Sequence, residues 1–155
     1  MPSLPAQCRR QVEVAVVQQM GDVEPRPAVE ASAIQCVLIV SGDLQLQQLL
    51  AATLTRTGYR VLTADTGRIA LAQIVRQPVD LVVTEMVIRD MDGLTLIEKL
   101  RESTPGTRVI AMSGANNKRL LTVAEAIGAR ATLVKPFNRD ALSAALARCQ
   151  GEMPS

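Results

Sequence analysis

From Cys36 onward the sequence repeats one pattern five times: a short run rich in Val, Ile and Leu, a few turn residues, then a segment with apolar residues at helical spacing. Strands that alternate with helices are joined by crossovers, which makes neighbouring strands parallel. A parallel sheet is stable only with both faces covered. The chain is thereby constrained to an α/β sheet with helices on either side, and right-handed crossovers narrow the topology further.

The elements follow from local chemistry. Residues 36–40 read as a fully buried strand, after which Leu46, Leu49, Leu50 and Leu54 share one helical face until Gly58 ends it. A second strand is expected over 59–64 and a helix over 66–77, stopped by Pro78, with Ile69, Ala70, Ile74 and Leu71 on its inner arc. Residues 80–85 are nearly all apolar, as a central strand should be. A loop over 86–93 leads to a helix over 94–102, and the Pro105-Gly106 turn to a strand over 107–112. Asn116 or Asn117 is expected to cap a helix running to Ile127 and closed by Gly128. Residues 131–134 form the last strand, and Asn138 caps a final helix to Cys149 with Leu142, Ala145 and Leu146 inward.

At 155 residues and 48% hydrophobic, the chain suits one domain over 35–150, with an extension over 1–34 and a tail over 151–155. The extension carries Pro2, Pro5, Pro25 and Pro27 and is expected to be flexible. Within it 7–20 reads either as a helix or, from the alternation of Val12, Val14 and Val16, as a strand; Met20 is an alternative start. Seventeen basic and 15 acidic residues are scattered, leaving no stripe to track a nucleic-acid backbone. Tyr59 and Phe137 are the only aromatics, so no platform exists for stacking bases. Cys8, Cys36 and Cys149 are odd in number and far apart, which argues for a reducing cytoplasm over a disulfide framework. Without histidine the usual transition-metal ligands are missing. The apolar run 12–17, broken by Glu13, is too short for a membrane span or a signal peptide. A soluble cytoplasmic protein, monomeric or weakly dimeric, is expected.

In open parallel sheets ligands bind beyond the carboxyl ends of the strands. Those ends carry Ser41, Gly42 and Asp43, then Thr84 and Glu85, then Ser113 and Gly114, then Lys135 and Pro136. The segments VLIVSGD, DLVVTEMVIRDMDG, VIAMSG and LVKPF, in this order and spacing, resemble the receiver domain of bacterial response regulators in two-component phosphorelays. The resemblance implies a CheY-like, flavodoxin-like doubly wound sheet of five parallel strands, order 2-1-3-4-5, with five helices. It also implies site positions. Ser41 and Gly42 stand where the family has an acidic pair, and Glu85 where it has the phosphoacceptor aspartate. Ser113 stands at the switch hydroxyl, Thr132 at an aromatic relay position, and Lys135 precedes Pro136 at a bond that is often cis in the family. Arg89 replaces the usual proline of the loop, while Asp92-Gly93 keeps its tight turn.

These departures have physical consequences. The acidic pair and the phosphoacceptor hold magnesium through hard oxygen ligands. With Ser41 and Gly42 in place of the pair, magnesium binding is expected to be lost, and with it compensation of charge on a transferring phosphoryl group. Asp43 is the one alternative ligand. Glu85 reaches one methylene farther than an aspartate, so it either imitates an acyl phosphate in part or forms a plain ion pair with Lys135. Ser113 either couples the site to the following helix or bonds local backbone.

Because only GEMPS follows the last helix, a stand-alone, non-enzymatic pseudo-receiver is expected, acting in trans on a protein partner. A histidine kinase, another regulator or an output protein fits that role. Its contact surface is expected around 116–126 and 131–148, where Lys118, Arg119, Arg130, Arg139 and Arg148 favour an acidic partner. Two alternatives stand beside this: a receiver still phosphorylated or metal-binding through Asp43 or Thr84, and a small nucleotide-binding or enzymatic domain. The second lacks a glycine-rich phosphate loop, since SGDLQLQQ has neither the dinucleotide nor the P-loop spacing.

Overall fold

In the computed structural model, residues 34–150 are described. The readings of 1–33 and 151–155, including the helix or strand over 7–20, Met20 and Cys8, lie outside the described residues. Strands β1 (Cys36–Val40), β2 (Arg60–Ala64), β3 (Leu81–Glu85), β4 (Arg108–Gly114) and β5 (Ala131–Lys135) alternate with helices α1 (Leu44–Thr57), α2 (Gly67–Arg76), α3 (Gly93–Ser103), α4 (Lys118–Ala126) and α5 (Arg139–Cys149). The sheet is parallel throughout, in the order β2-β1-β3-β4-β5. This is the flavodoxin-like order 2-1-3-4-5.

Position in the sheet explains the strand sequences. Every residue of β1 and β3 is buried, because both their faces are covered; β1 is a continuous apolar run, and β3 is apolar until Thr84 and Glu85 at its carboxyl end. Edge strand β2 exposes Arg60 and Thr63. Successive β1 residues pack on opposite faces: Leu38 and Val40 join Leu96, Ile97, Leu100 and Leu121, while Val37 and Ile39 join Leu50, Leu54, Leu142 and Leu146. Two apolar layers therefore sandwich the sheet, each leucine side chain contributing about 1.5–3 kcal/mol on burial.

Helix ends follow the punctuation read from sequence. Asp43 Oδ1 accepts from the Gln45 and Leu46 N–H groups at 3.1 and 3.2 Å and caps α1, which ends at Gly58 with φ 111°. Thr66, Asp92 and Asn138 cap α2, α3 and α5 in the same way. Two expectations fail. Leu49 and Ile69, assigned to inner faces, are 64% and 44% exposed, because the apolar arcs of α1 and α2 are narrower than their apolar residues suggest. Neither Asn116 nor Asn117 caps α4 with its side chain, since a 3-10 turn over Ala115–Asn117 intervenes between β4 and the helix.

Candidate functional site

The carboxyl ends of β1, β3, β4 and β5 converge at one end of the sheet. Register sets the central contact: Val40 pairs with Thr84, so the next residues, Ser41 and Glu85, end side by side. Ser41 is wholly buried and donates its hydroxyl proton to Glu85 Oε2 at 2.6 Å. Its oxygen in turn accepts from the Asp43 N–H at 3.1 Å. Lys135 Nζ, carried on β5 and followed by a cis bond to Pro136, is paired with Glu85 Oε1. Both carboxylate oxygens of Glu85 therefore have a partner, and the residue is 8% exposed. Partners of this kind offset the cost of burying the charge.

The remaining expected site residues divide. Gly42 lies exposed on the rim, and a Cβ there would meet only the Asp65 carbonyl oxygen, at 3.9 Å. Asp43 does not enter the pocket, because its carboxylate is taken by the α1 N-terminus. Thr84 is fully buried with its hydroxyl on the Glu85 carbonyl at 2.9 Å. The Ser113 hydroxyl donates to the Asn117 carbonyl at 3.3 Å, across the 3-10 turn, and not to Glu85. Thr132 is half-buried on β5. Arg89 is exposed.

The loop after β3 is held by a contact that spacing does not reveal. Asp90 accepts from the Gly67 and Arg68 N–H groups at 2.8 and 3.0 Å, so a loop residue closes the start of α2. The Gly67 N–H above all holds the Asp90 carboxyl below its ordinary value; desolvation opposes it, and the Arg68 N–H adds to the lowering. Met91 covers Gly67, leaving no room for a Cβ there, and Gly93 meets Met86 and the Glu85 carbonyl equally closely. Gly93 thus packs directly against the backbone that bears Glu85. Among the described residues no group of three or more His, Cys, Asp or Glu is placed to hold a metal ion. No helix among them is long and apolar enough to cross a membrane.

Comparison with known proteins agrees with the fold. Residues 37–147 match the model of the response regulator receiver domain. Transcriptional regulatory protein GlrR of Escherichia coli (strain K12) is 34% identical over 110 residues, 71% of this chain and 25% of that protein. The chain spans about a quarter of the length of such curated relatives. Among solved structures, the receiver domain of NtrX from Brucella abortus is 28% identical with a TM-score of 0.70, covering 73% of this chain and 96% of that one. Chemotaxis response regulator CheY4 of Vibrio cholerae is 28% identical with a TM-score of 0.68, covering 75% and 98%. On its sheet order and on the match over residues 37–147, the chain belongs to the response regulator receiver domain family of two-component signalling.

Proposed function

We propose that residues 35–150 act as a receiver that signals through protein–protein contact without accepting phosphate. The observation that carries this reading is the closed chain Ser41–Glu85–Lys135, with both Glu85 oxygens committed. The positions of the family's acidic pair hold a buried hydroxyl and a glycine, and the carboxylate of the next residue, Asp43, caps a helix. One carboxylate paired with one ammonium leaves no net charge to draw a hydrated magnesium ion.

Glu85 is better read here as an internal ion pair than as an imitation of acyl phosphate. A phosphoryl group offers three acceptor oxygens, enough for both the lysine and the switch hydroxyl. Glu85 offers two, taken by Lys135 and Ser41, while Ser113 bonds Asn117. A resting-like arrangement of α4 follows. Phosphorylation through Asp43 or Thr84 is disfavoured by the same bonds, since both side chains already have backbone partners. Catalysis and nucleotide binding find no support in the strand-end residues. The partner is a kinase, another regulator or an output protein of the cytoplasm; by its name the Escherichia coli relative regulates transcription.

The test is chemical. The full chain and the triple variant Ser41→Asp, Gly42→Asp, Glu85→Asp are incubated with acetyl phosphate and magnesium and weighed by intact-mass spectrometry. The expected result is a phosphoryl adduct on the variant only; an adduct on the parent chain would refute the proposal.

A further inference from the structure

Charges that are scattered along the sequence are gathered by the fold. In a parallel sheet with helical crossovers every strand begins and every helix ends at one pole, opposite the carboxyl ends that carry the Glu85 pocket. Arg56, Arg76, Arg101 and Arg148 lie in the last turns of α1, α2, α3 and α5. Arg60 and Arg108 open β2 and β4, and Arg130 immediately precedes β5. Against these seven arginines the described part of that pole sets three acidic residues, Asp80, Glu102 and Glu125. The pocket pole carries six residues of each sign, so the excess positive charge of residues 34–150 sits at one end of the domain.

Helix ends account for part of this. A basic side chain in a last turn offsets the partial negative charge of the helix carbonyls, and lysine serves there as well as arginine. Arg60, Arg108 and Arg130 belong to no helix, however, and Lys99, Lys118 and Lys135, the lysines of the chain, all lie away from this pole. The arginines also converge. Burial pushes the Cys149 thiol up, and Arg130, Arg108 and Arg148, from three separate segments, oppose it, which places the three around one atom. Arg60 is paired with Gln77 at the end of α2, and Arg101 donates to the Ile127 carbonyl at the end of α4. Both of those partners are neutral, so they orient a guanidinium group without cancelling its charge.

We infer that this arginine pole is a docking surface for an acidic, extended segment of a protein partner. Strands about 4.8 Å apart separate Arg60, on one edge of the sheet, from Arg130, at the other, by roughly 19 Å. An extended chain rising about 3.3 Å per residue crosses that width in roughly six residues. Guanidinium forks take carboxylates through paired hydrogen bonds, which suits a surface made of arginine alone. A nucleic acid fits less well. The arginines surround an end of the domain and form no stripe, and the helix N-termini that cradle phosphate all face the other pole. Of the two aromatics, Tyr59 is bonded through its hydroxyl to Gln150 and Phe137 stands at the pocket pole. The inference rests on the reading of the domain as a protein-binding receiver, and a face opposite the pocket needs no signal from Glu85.

The probe is an eight-residue peptide alternating glutamate and serine, titrated at low salt into the isotopically labelled full chain. Saturable amide shifts are expected at Arg60, Gln77, Arg101 and Arg130, with affinity falling about tenfold between roughly 20 and 200 mM salt. A lysine–serine peptide should produce none. The triple variant Arg56→Glu, Arg76→Glu, Arg148→Glu should abolish binding. Arg68→Glu, Arg89→Glu, Lys99→Glu changes the net charge equally but away from this pole, and should bind within about twofold of the parent. Melting curves of both triples establish that they fold. No saturable shifts in the parent, equal weakening by the two triples, or displacement of the peptide by a short DNA duplex would each overturn the inference. Peptide binding that appears only with magnesium and acetyl phosphate would uphold the pole and refute phosphate independence, so the two readings fail separately.

Discussion

Ser41 is the residue through which the site is most directly perturbed. Its hydroxyl is fully buried, donates to Glu85 at 2.6 Å and accepts from Asp43 N–H at 3.1 Å. A hydrogen bond to a charged group contributes roughly 1.5–3 kcal/mol, and Ser41→Ala removes that bond while leaving Lys135 in place. A loss of about 2 kcal/mol is expected, with only a small cavity term because one oxygen is removed. Ser41→Asp should cost more at pH 7, since it sets a second carboxylate against the first. At about 4 Å and an effective dielectric constant of about 20 the repulsion is roughly 4 kcal/mol before relaxation. Lower pH lets the two carboxylates share a proton, so this variant should regain stability on acidification, and magnesium should restore part of it. Urea unfolding at pH 7 and pH 5, with and without magnesium, measures all of this. Loss of less than about 0.5 kcal/mol in Ser41→Ala, or Ser41→Asp as stable as Ala at pH 7, would refute the hydrogen-bonded pocket.

Other positions make independent predictions. Asp90→Asn removes a carboxylate held below its ordinary value by the Gly67 and Arg68 N–H groups. The parent contribution is present above the unfolded value of 3.8 and lost as pH falls through the lower folded value, so parent and variant melting curves should converge only in acid. Burial pushes the Cys36 thiol up to about 11, so alkylation at pH 8 should be far slower in the folded chain than in urea. Folding stability should also decline between the ordinary thiol value of 9.0 and about 11, as the unfolded thiol ionises first. In Gly93→Ala a Cβ would sit 2.5–2.8 Å from Met86 and the Glu85 carbonyl, so a loss of about 2–4 kcal/mol is expected by calorimetry. Gly42→Ala, with its nearest neighbour at 3.9 Å, should be near neutral in the same assay.

The fold was legible because its signal is periodic. Runs such as Val37–Leu38–Ile39 and Val82–Val83 read as buried strands wherever they lie in the sheet, and Gly58, Pro78 and Asn138 marked their helix ends by local chemistry. The inner faces were less so. Leu49 and Leu50 lie about 100° apart around the helix, at the two margins of a broad apolar arc, and only packing decides which one α1 buries. The Glu85–Lys135 pair followed from strand-end position within the family pattern. The Ser41–Glu85 bond did not, since it depends on the register of β1 against β3, two strands separated in sequence by a helix pair and β2. The Asp90 clamp on Gly67 spans 23 residues and has no local signature at all. Asn117 failed as a cap because nothing local foretold the 3-10 turn that displaces the start of α4.

The central claim is that Glu85 is fully occupied by Ser41 and Lys135 and leaves no place for metal or phosphoryl group. Amide NMR of the labelled full chain, titrated with magnesium and then beryllofluoride, tests it most directly. The account predicts no saturable shifts at Ser41, Glu85 or Ser113 and no displacement of the α4 amides from Lys118 onward. Saturable shifts at those three residues, propagating into α4, would contradict it.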